Sequence, residues 1–419
     1  MPLPYSYGAV HVTESHRPDE HPMTVGGLSK ARLGRLHDVM SDRVARGSAP
    51  GIVTAVSRRG ETYVDAIGMK AIGADDPMKR DTIFRISSMT KPIVAVATMI
   101  LAEEVKLRLD DPIDRWLPEI SDRRVLKRLD GSIDDTVPAD RPITVRDLLT
   151  MRMGFGFILE AGTFPIQDAA SELQVMPGPP APQVSPAPDE WIRRFATLPL
   201  MHQPGARWMY DSAFQVLGVL LARVAGQPLE TLLRERIFDP LGMKDTSFRV
   251  PAEKLDRLAT SYAADAATGE LALYDGVQDS QWSRPPRFPD AAGGLVSTID
   301  DYLTFGQMLL NKGSLGNVRI LSRPSVEAMT TDQLTDDQRA SAGVFLGENR
   351  TWGLGVSVIT RRDDVASVPG RFGWDGGLGT SWYSDPAEDL VAVLMSQRMP
   401  PTADISLDFW TSVYQAIDD

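Results

Sequence analysis

Cysteine is absent from the 419 residues. Disulfides, thiolate nucleophiles and thiolate-bound metals are therefore excluded. Histidine is nearly absent too: there are five, and His11, His16, His21 and His37 crowd the first 37 residues, leaving His202 alone. A Ser-His-Asp hydrolase needs one well-placed imidazole, and this chain offers almost no choice of one. If the protein is a hydrolase, its base is expected not to be histidine. Basic runs are missing as well. Lys+Arg 44 against Asp+Glu 56 leaves a net charge of -12, which disfavours nucleic acid and anionic membrane surfaces as partners. No apolar run approaches the roughly 20 residues that span a bilayer. The start, MPLPYSYGAVHVTESHRPDE, has neither the basic nor the apolar stretch of a signal peptide, so a cytoplasmic protein is expected.

What remains is ordinary for a folded chain: 42% hydrophobic and 24% charged residues, enough for a sizeable core and, by length, two to four domains. Leu28, Leu33, Leu36, Met40 and Val44 space a helix over 28–46. Residues 51–56 and 61–67 read as strands joined at Arg59-Gly60, and 82–86 as a short third strand. Helical periodicity then runs over 93–105, 144–153, 189–198, 213–225 and 228–237. Strand character returns at 352–359, 379–384 and 390–396, before an amphipathic helix over 402–418. No internal repeat or heptad pattern is present. The expected fold class is α/β (α+β): an antiparallel sheet built from the N- and C-terminal segments and flanked by helices, plus a mostly helical lobe. The expected division is an extension at 1–27, a discontinuous α/β domain at 28–105 and 291–419, and a helical domain at 106–290. Insertions fall at 120–142 and 155–190, the latter containing the proline-rich QVMPGPPAPQVSPAPDE, which reads as an extended surface loop.

Three motifs carry candidate chemistry. Ser88-Met89-Thr90-Lys91 is a Ser-x-x-Lys at a strand-to-helix junction. Residues three apart share a helix face, so Lys91 can reach the Ser88 hydroxyl. Pro92 belongs in a first helical turn, which puts Ser88 at the positive end of the helix dipole. A lysine crowded there is expected to lose affinity for its proton. A serine N-cap followed by a surface lysine is the plainer reading of the same residues. Tyr210-Asp211-Ser212 places a phenol just before a helix, either a base whose pKa Lys91 depresses or a core aromatic. Phe372 to Gly379 (FGWDGGLG) carries four glycines, suited to close backbone approach and free N–H groups, or to a turn before a strand.

In this order, Ser-x-x-Lys, Tyr-x-Ser and Trp-x-Gly resemble the serine β-lactamase and penicillin-binding-protein superfamily. The tyrosine-led middle motif is similar to its class C-like branch, and the Trp-x-Gly pattern to the family VIII carboxylesterases. Ile143 to Thr150 (ITVRDLLT), Pro240 to Met243 (PLGM) and Gly293 to Thr298 (GGLVST) resemble the same branch, so the likeness spans about residues 28–397. It implies a β-lactamase/transpeptidase-like fold and no cofactor or metal. It implies Ser88 as nucleophile, Lys91 and Tyr210 as the base system with either as base, and Ser212 as a polar neighbour in place of the usual asparagine. It also implies an oxyanion hole from the N–H groups of Ser88 and Gly377.

One departure shapes the substrate. Where β-lactamases and peptidases carry Lys-Thr-Gly, this chain has Trp374-Asp375-Gly376. The missing lysine holds a substrate carboxylate. An indole wall, with the Asp375 charge if it faces the site, disfavours anions and favours neutral acyl esters. A carboxylesterase for short to medium acyl chains is therefore expected. A β-lactamase or D-amino peptidase is the alternative if Arg371 or Arg398 points inward. A non-catalytic binding relative is disfavoured because Ser88, Lys91 and Tyr210 are all present. By analogy 155–173 and 174–190 border the site, making Phe155, Phe157, Ile158 and Leu159 candidates for the acyl pocket, with a packing role equally open.

Overall fold

A computed structural model describes residues 24–419. His11, His16, His21 and most of the 1–27 extension lie outside the described residues. Seven antiparallel strands form the main sheet: β1 (Gly51–Arg58), β2 (Glu61–Gly68), β3 (Arg350–Trp352), β4 (Ser357–Ile359), β5 (Phe372–Gly376), β6 (Thr380–Asp385) and β7 (Leu390–Ser396). Their order is β3-β4-β5-β6-β7-β1-β2, so the two ends of the chain meet where β7 pairs β1, with Leu390 opposite Arg58. The antiparallel sheet from both termini is thus present.

Helices cover both faces of this sheet. On one side lie α1 (Lys30–Ala45) and α5 (Ala403–Gln415); on the other is α4 (Ile299–Leu310). The strands between them are buried on both faces, so β7 reads LVAVLMS rather than alternating with polar residues. Leu390, Ala392 and Leu394 meet α1 and α5, while Val391, Val393 and Met395 join the core that contains Tyr302 and Phe305 of α4. The helical lobe is built around α2 (Thr90–Glu103) and α3 (Ser212–Ala225). Residues 90–101 of α2 are all buried, as expected of a helix apolar on every side.

Several expected elements changed on folding. The strand expected over 352–359 is broken, because Gly355 turns at φ 85 with Ala95 of α2 packed where its side chain would be. The helix expected over 144–153 ends at Leu149, and the chain reverses at Met151, φ 52. The strand expected at 82–86 shrinks to Phe84–Arg85, paired with Val296–Ser297. Helix α4 was not expected, although Thr298 caps it through the Asp301 N–H. The proline-rich stretch holds no helix or strand from 174 to 187, and a helix begins at Pro188.

Candidate active site

The strand Phe84–Arg85 delivers the chain to a tight 3₁₀ turn, Ser87–Met89, which runs directly into α2. Ser87 sits at φ 45, a conformation costly for a residue with a Cβ, and it turns the following Ser88 into a cavity of about 380 Å³. One helical turn on, Lys91 is completely buried. Its Nζ lies 3.0 Å from Ser88 Oγ, 2.7 Å from Asp211 Oδ1 and 2.7 Å from the Ala292 carbonyl oxygen.

Tyr210 reaches the same point from the loop before α3. Lys91 Nζ stands 4.5 Å from its ring centre, its hydroxyl accepts a hydrogen bond of 2.8 Å from Trp374 Nε1, and Tyr210 lines the same cavity as Ser88. Phe345 and Phe157 stack on the ring at 4.4 and 5.9 Å. Trp374 is itself pinned edge-on to Trp352 at 4.7 Å. The structure therefore brings Ser88, Lys91, Tyr210 and Trp374 together from segments nearly 290 residues apart.

The electrostatics differ from the sequence expectation. Burial pulls the Lys91 pKa down, but the Asp211 carboxylate, then Tyr210 and Asp290, pull it up by more, so Lys91 ends above the ordinary lysine value. Burial likewise raises the Tyr210 phenol above its usual range, and the neighbouring ammonium offsets this only in part. Asp290, buried beneath them, is pushed up to about 6 by burial and by Asp211. Lys91 is thus held as an ammonium rather than stripped of its proton.

Glycine at 376 is a steric requirement. A Cβ there would overlap the Ile86 carbonyl oxygen and the Thr380 hydroxyl, so only glycine lets β5 lie against the Ser87–Ser88 turn. The segment read as a glycine-rich approach to a strand is thus itself strand β5, and Gly377 follows it at the cavity's edge beside Ser87.

Four expectations need correction. Asp375 lines the cavity as expected, but its carboxylate turns away from the Trp374 side, because successive strand residues face opposite ways. It accepts from Ser381 Oγ at 2.5 Å and Tyr383 Oη at 3.0 Å, with Arg350 3.6 Å away. Ser212 is wholly buried with its Oγ unpartnered, and the lysine's polar neighbour is Asp211 instead. Phe155 is a core residue, edge-on to Phe195 at 5.1 Å, and only Phe157 of the pair lines the cavity. Between them, a Cβ on Gly156 would sit 2.8 Å from the Met209 carbonyl carbon, so the loop packs backbone to backbone and its flanking side chains diverge. Neither candidate arginine points inward. Arg371 lies 3.9 Å over the Trp410 ring on the far face of the sheet, and Arg398 donates to the Ser48 carbonyl at 3.3 Å. Neither His37, which bonds Asp65 on the surface, nor His202 lines the cavity.

Sequence reasoning missed Asp211, Asp290 and the walls supplied by Gly178-Pro179-Pro180 and Val344-Phe345. The tripeptide falls within the insertion expected to border the site. Nothing in the local sequence marks 344–345.

A serine at the head of a buried helix, bonded to a lysine and sharing its cavity with a tyrosine beside an antiparallel sheet, defines an enzyme of the β-lactamase-like serine hydrolases and acyltransferases. The chain belongs to the Beta-lactamase family, whose model matches residues 36–413. An uncharacterized protein of Mycobacterium tuberculosis is 42% identical, over 86% of this chain and 88% of that one. Esterase EstB of Burkholderia gladioli is 31% identical over 89% and 92%. Among solved structures, EstCE1, described as a hydrolase with promiscuous acyltransferase activity, superposes with a TM-score of 0.75 at 26% identity, covering 92% of this chain and 99% of that one.

Proposed function

We propose that the protein is a serine carboxylesterase that cleaves neutral esters of short to medium acyl chain through an acyl-Ser88 intermediate. Ser88 Oγ attacks the ester carbonyl, and Lys91 and Tyr210 carry the proton between that hydroxyl and the leaving alcohol. The N–H groups of Ser88 and Gly377 receive the developing oxyanion. Water then releases the acid. An alcohol in its place would give acyl transfer, in keeping with the description of EstCE1.

The observation that carries the choice of substrate is the wall above Ser88. It is built mainly from Trp374, Phe157, Phe345, Leu378 and prolines, its charged members are Asp211 and Asp375, and among the described lining residues none is lysine, arginine or histidine. A penicillin or a peptide C-terminus would bring a carboxylate to apolar groups and two aspartates with no lining cation to meet it, a desolvation cost without return. The cavity, at about 380 Å³, is near the small end of ligand sites, which suits short to medium acyl groups.

The test compares kcat/KM for p-nitrophenyl butyrate and nitrocefin. The ester is expected to be the better substrate, and a preference for nitrocefin would contradict the reading. Intact-protein mass spectrometry with a fluorophosphonate is expected to show one adduct, lost in Ser88→Ala. Labelling unaffected by that substitution would refute the acyl-serine.

A further inference from the structure

Asp211 has the least ordinary backbone of the site residues. It lies at φ 92, ψ -66, the geometry of a classic γ-turn, which is rare and strained for any residue with a side chain. Nevertheless its side chain is buried and ends 2.7 Å from Lys91 Nζ. The residue after it, Ser212, stands where the tyrosine motif would supply a polar partner, but its Oγ has none. With the γ-turn, that role falls one position earlier in the chain, and a charged group takes the place of a neutral one.

The geometry around Lys91 gives this exchange a chemical meaning. An ammonium has three N–H bonds in a tetrahedral array, and each points at one oxygen here. Asp211 Oδ1 and the Ala292 carbonyl can only accept. Ser88 Oγ can accept or donate. If Lys91 loses a proton, the two obligate acceptors keep the two remaining N–H bonds, and the freed lone pair faces Ser88. We propose that Asp211 is a positioning residue for the reaction: its carboxylate aims Lys91 at Ser88 and sets the pH at which the Lys91–Tyr210 pair can release a proton and act as base. This rests on the acyl-Ser88 reading above.

Four titratable groups meet at this point among the described residues: Lys91 from α2, Tyr210 and Asp211 from the loop before α3, and Asp290 from the loop before α4. Asp290 is held by the Ala292 N–H at 2.8 Å and Gln215 Nε2 at 3.4 Å. A negative charge at 211 favours the ammonium of Lys91 and disfavours the phenolate of Tyr210. Both effects move the ascending limb of a pH–rate profile to higher pH, whichever group is the base. Asp290, once ionised, acts in the same direction from farther away. Removing the charge at 211 must therefore move the limb to lower pH.

Two variants test this. Asp211→Asn keeps an oxygen to accept from Lys91 and a side chain of the same size, but it removes the charge. Asp211→Gly removes the side chain and relieves the strained backbone, so it tests the charge even if the asparagine variant folds poorly. The readout is the rate of fluorophosphonate labelling of Ser88 against pH, with a thermal melt to confirm folding. We expect the ascending limb to move down by about one pH unit or more in both, the usual effect of one close charge. The plateau should fall further in Asp211→Gly, where Lys91 loses its aim, than in Asp211→Asn. A limb that stays in place in either folded variant overturns the proposal, as does a folded variant that labels at no pH. A wild-type protein that fails to label at Ser88 would instead refute the acyl-serine reading itself.

Discussion

The steric contrast between Gly376 and Gly377 permits a sharp test. In Gly376→Ala the new Cβ would overlap the Ile86 carbonyl oxygen, with the carbonyl carbon behind it at 3.2 Å. Ordinary carbon–oxygen contact needs about 3.3 Å, so β5 must withdraw from the Ser87–Ser88 turn by about 1 Å. The Thr380 hydroxyl could rotate aside, but the Ile86 carbonyl is backbone and cannot. Overpacking of this kind costs about 1–3 kcal/mol of stability. The larger effect is on chemistry, because the same shift carries the Gly377 N–H and Trp374 away from Ser88. A misplacement of about 1 Å is worth roughly 100-fold in rate. In Gly377→Ala the nearest obstacle is Ser87 Oγ at 3.7 Å, an ordinary contact. That variant keeps its N–H and should retain kcat/KM within a few-fold. Measuring both variants with p-nitrophenyl butyrate, alongside thermal melts, separates the two cases. Equal loss in both, or full activity in Gly376→Ala, would refute the argument that close approach of β5 assembles the site.

Three further outcomes are expected. Trp374→Phe keeps an aromatic wall but removes the 2.8 Å hydrogen bond to Tyr210, so kcat should fall about 5-fold at nearly constant KM, from a loss of about 1 kcal/mol. Phe155→Ala should cost about 3–5 kcal/mol of stability as a core truncation, whereas Phe157→Ala should leave the melt nearly unchanged and alter the acyl-length dependence of kcat/KM. Burial raises Asp301, bonded to Thr246 Oγ1 at 2.9 Å, to about 6. Between about pH 4 and 6 the folded state therefore binds its proton more tightly than the unfolded chain does, and stability falls as pH rises through that window. Asp301→Asn should flatten this slope and add up to about 3 kcal/mol at pH 7, read from denaturant midpoints against pH. An unchanged slope would show that Asp301 titrates normally.

The legibility of the site tracks how local each decision is. Ser88 and Lys91 could be paired from spacing alone, because a helix places i and i+3 on one face and Pro92 limits where the helix can start. Tyr210 needed the order of three motifs. Asp211 was passed over although it lies beside Tyr210, because its contact with Lys91 depends on a γ-turn that no propensity favours. The orientation of Asp375 depended on whether FGWDG was loop or strand, and its glycines, there for close packing, disguised the strand. The signal for α4 was legible and overlooked: Thr298 three residues before Asp301, then an apolar run.

The amino-acid sequence by itself determined the class of chemistry. With no cysteine and almost no histidine, the chain excluded a thiolate nucleophile and argued against an imidazole base. Its three motifs resembled those of a serine-lysine-tyrosine family, and its two ends carried the apolar strands that had to pair. Only the tertiary structure decided the charge state and the substrate face. Lys91 would be an acidic amine or a firm ammonium according to which carboxylates converge on it, and Asp211 and Asp290 come from different loops. Whether the wall above Ser88 held a cation depended on where Arg371 and Arg398 pointed. Composition and spacing set which groups exist. Long-range packing sets which of them share a low-dielectric cavity, where their mutual fields are strong enough to choose a protonation state.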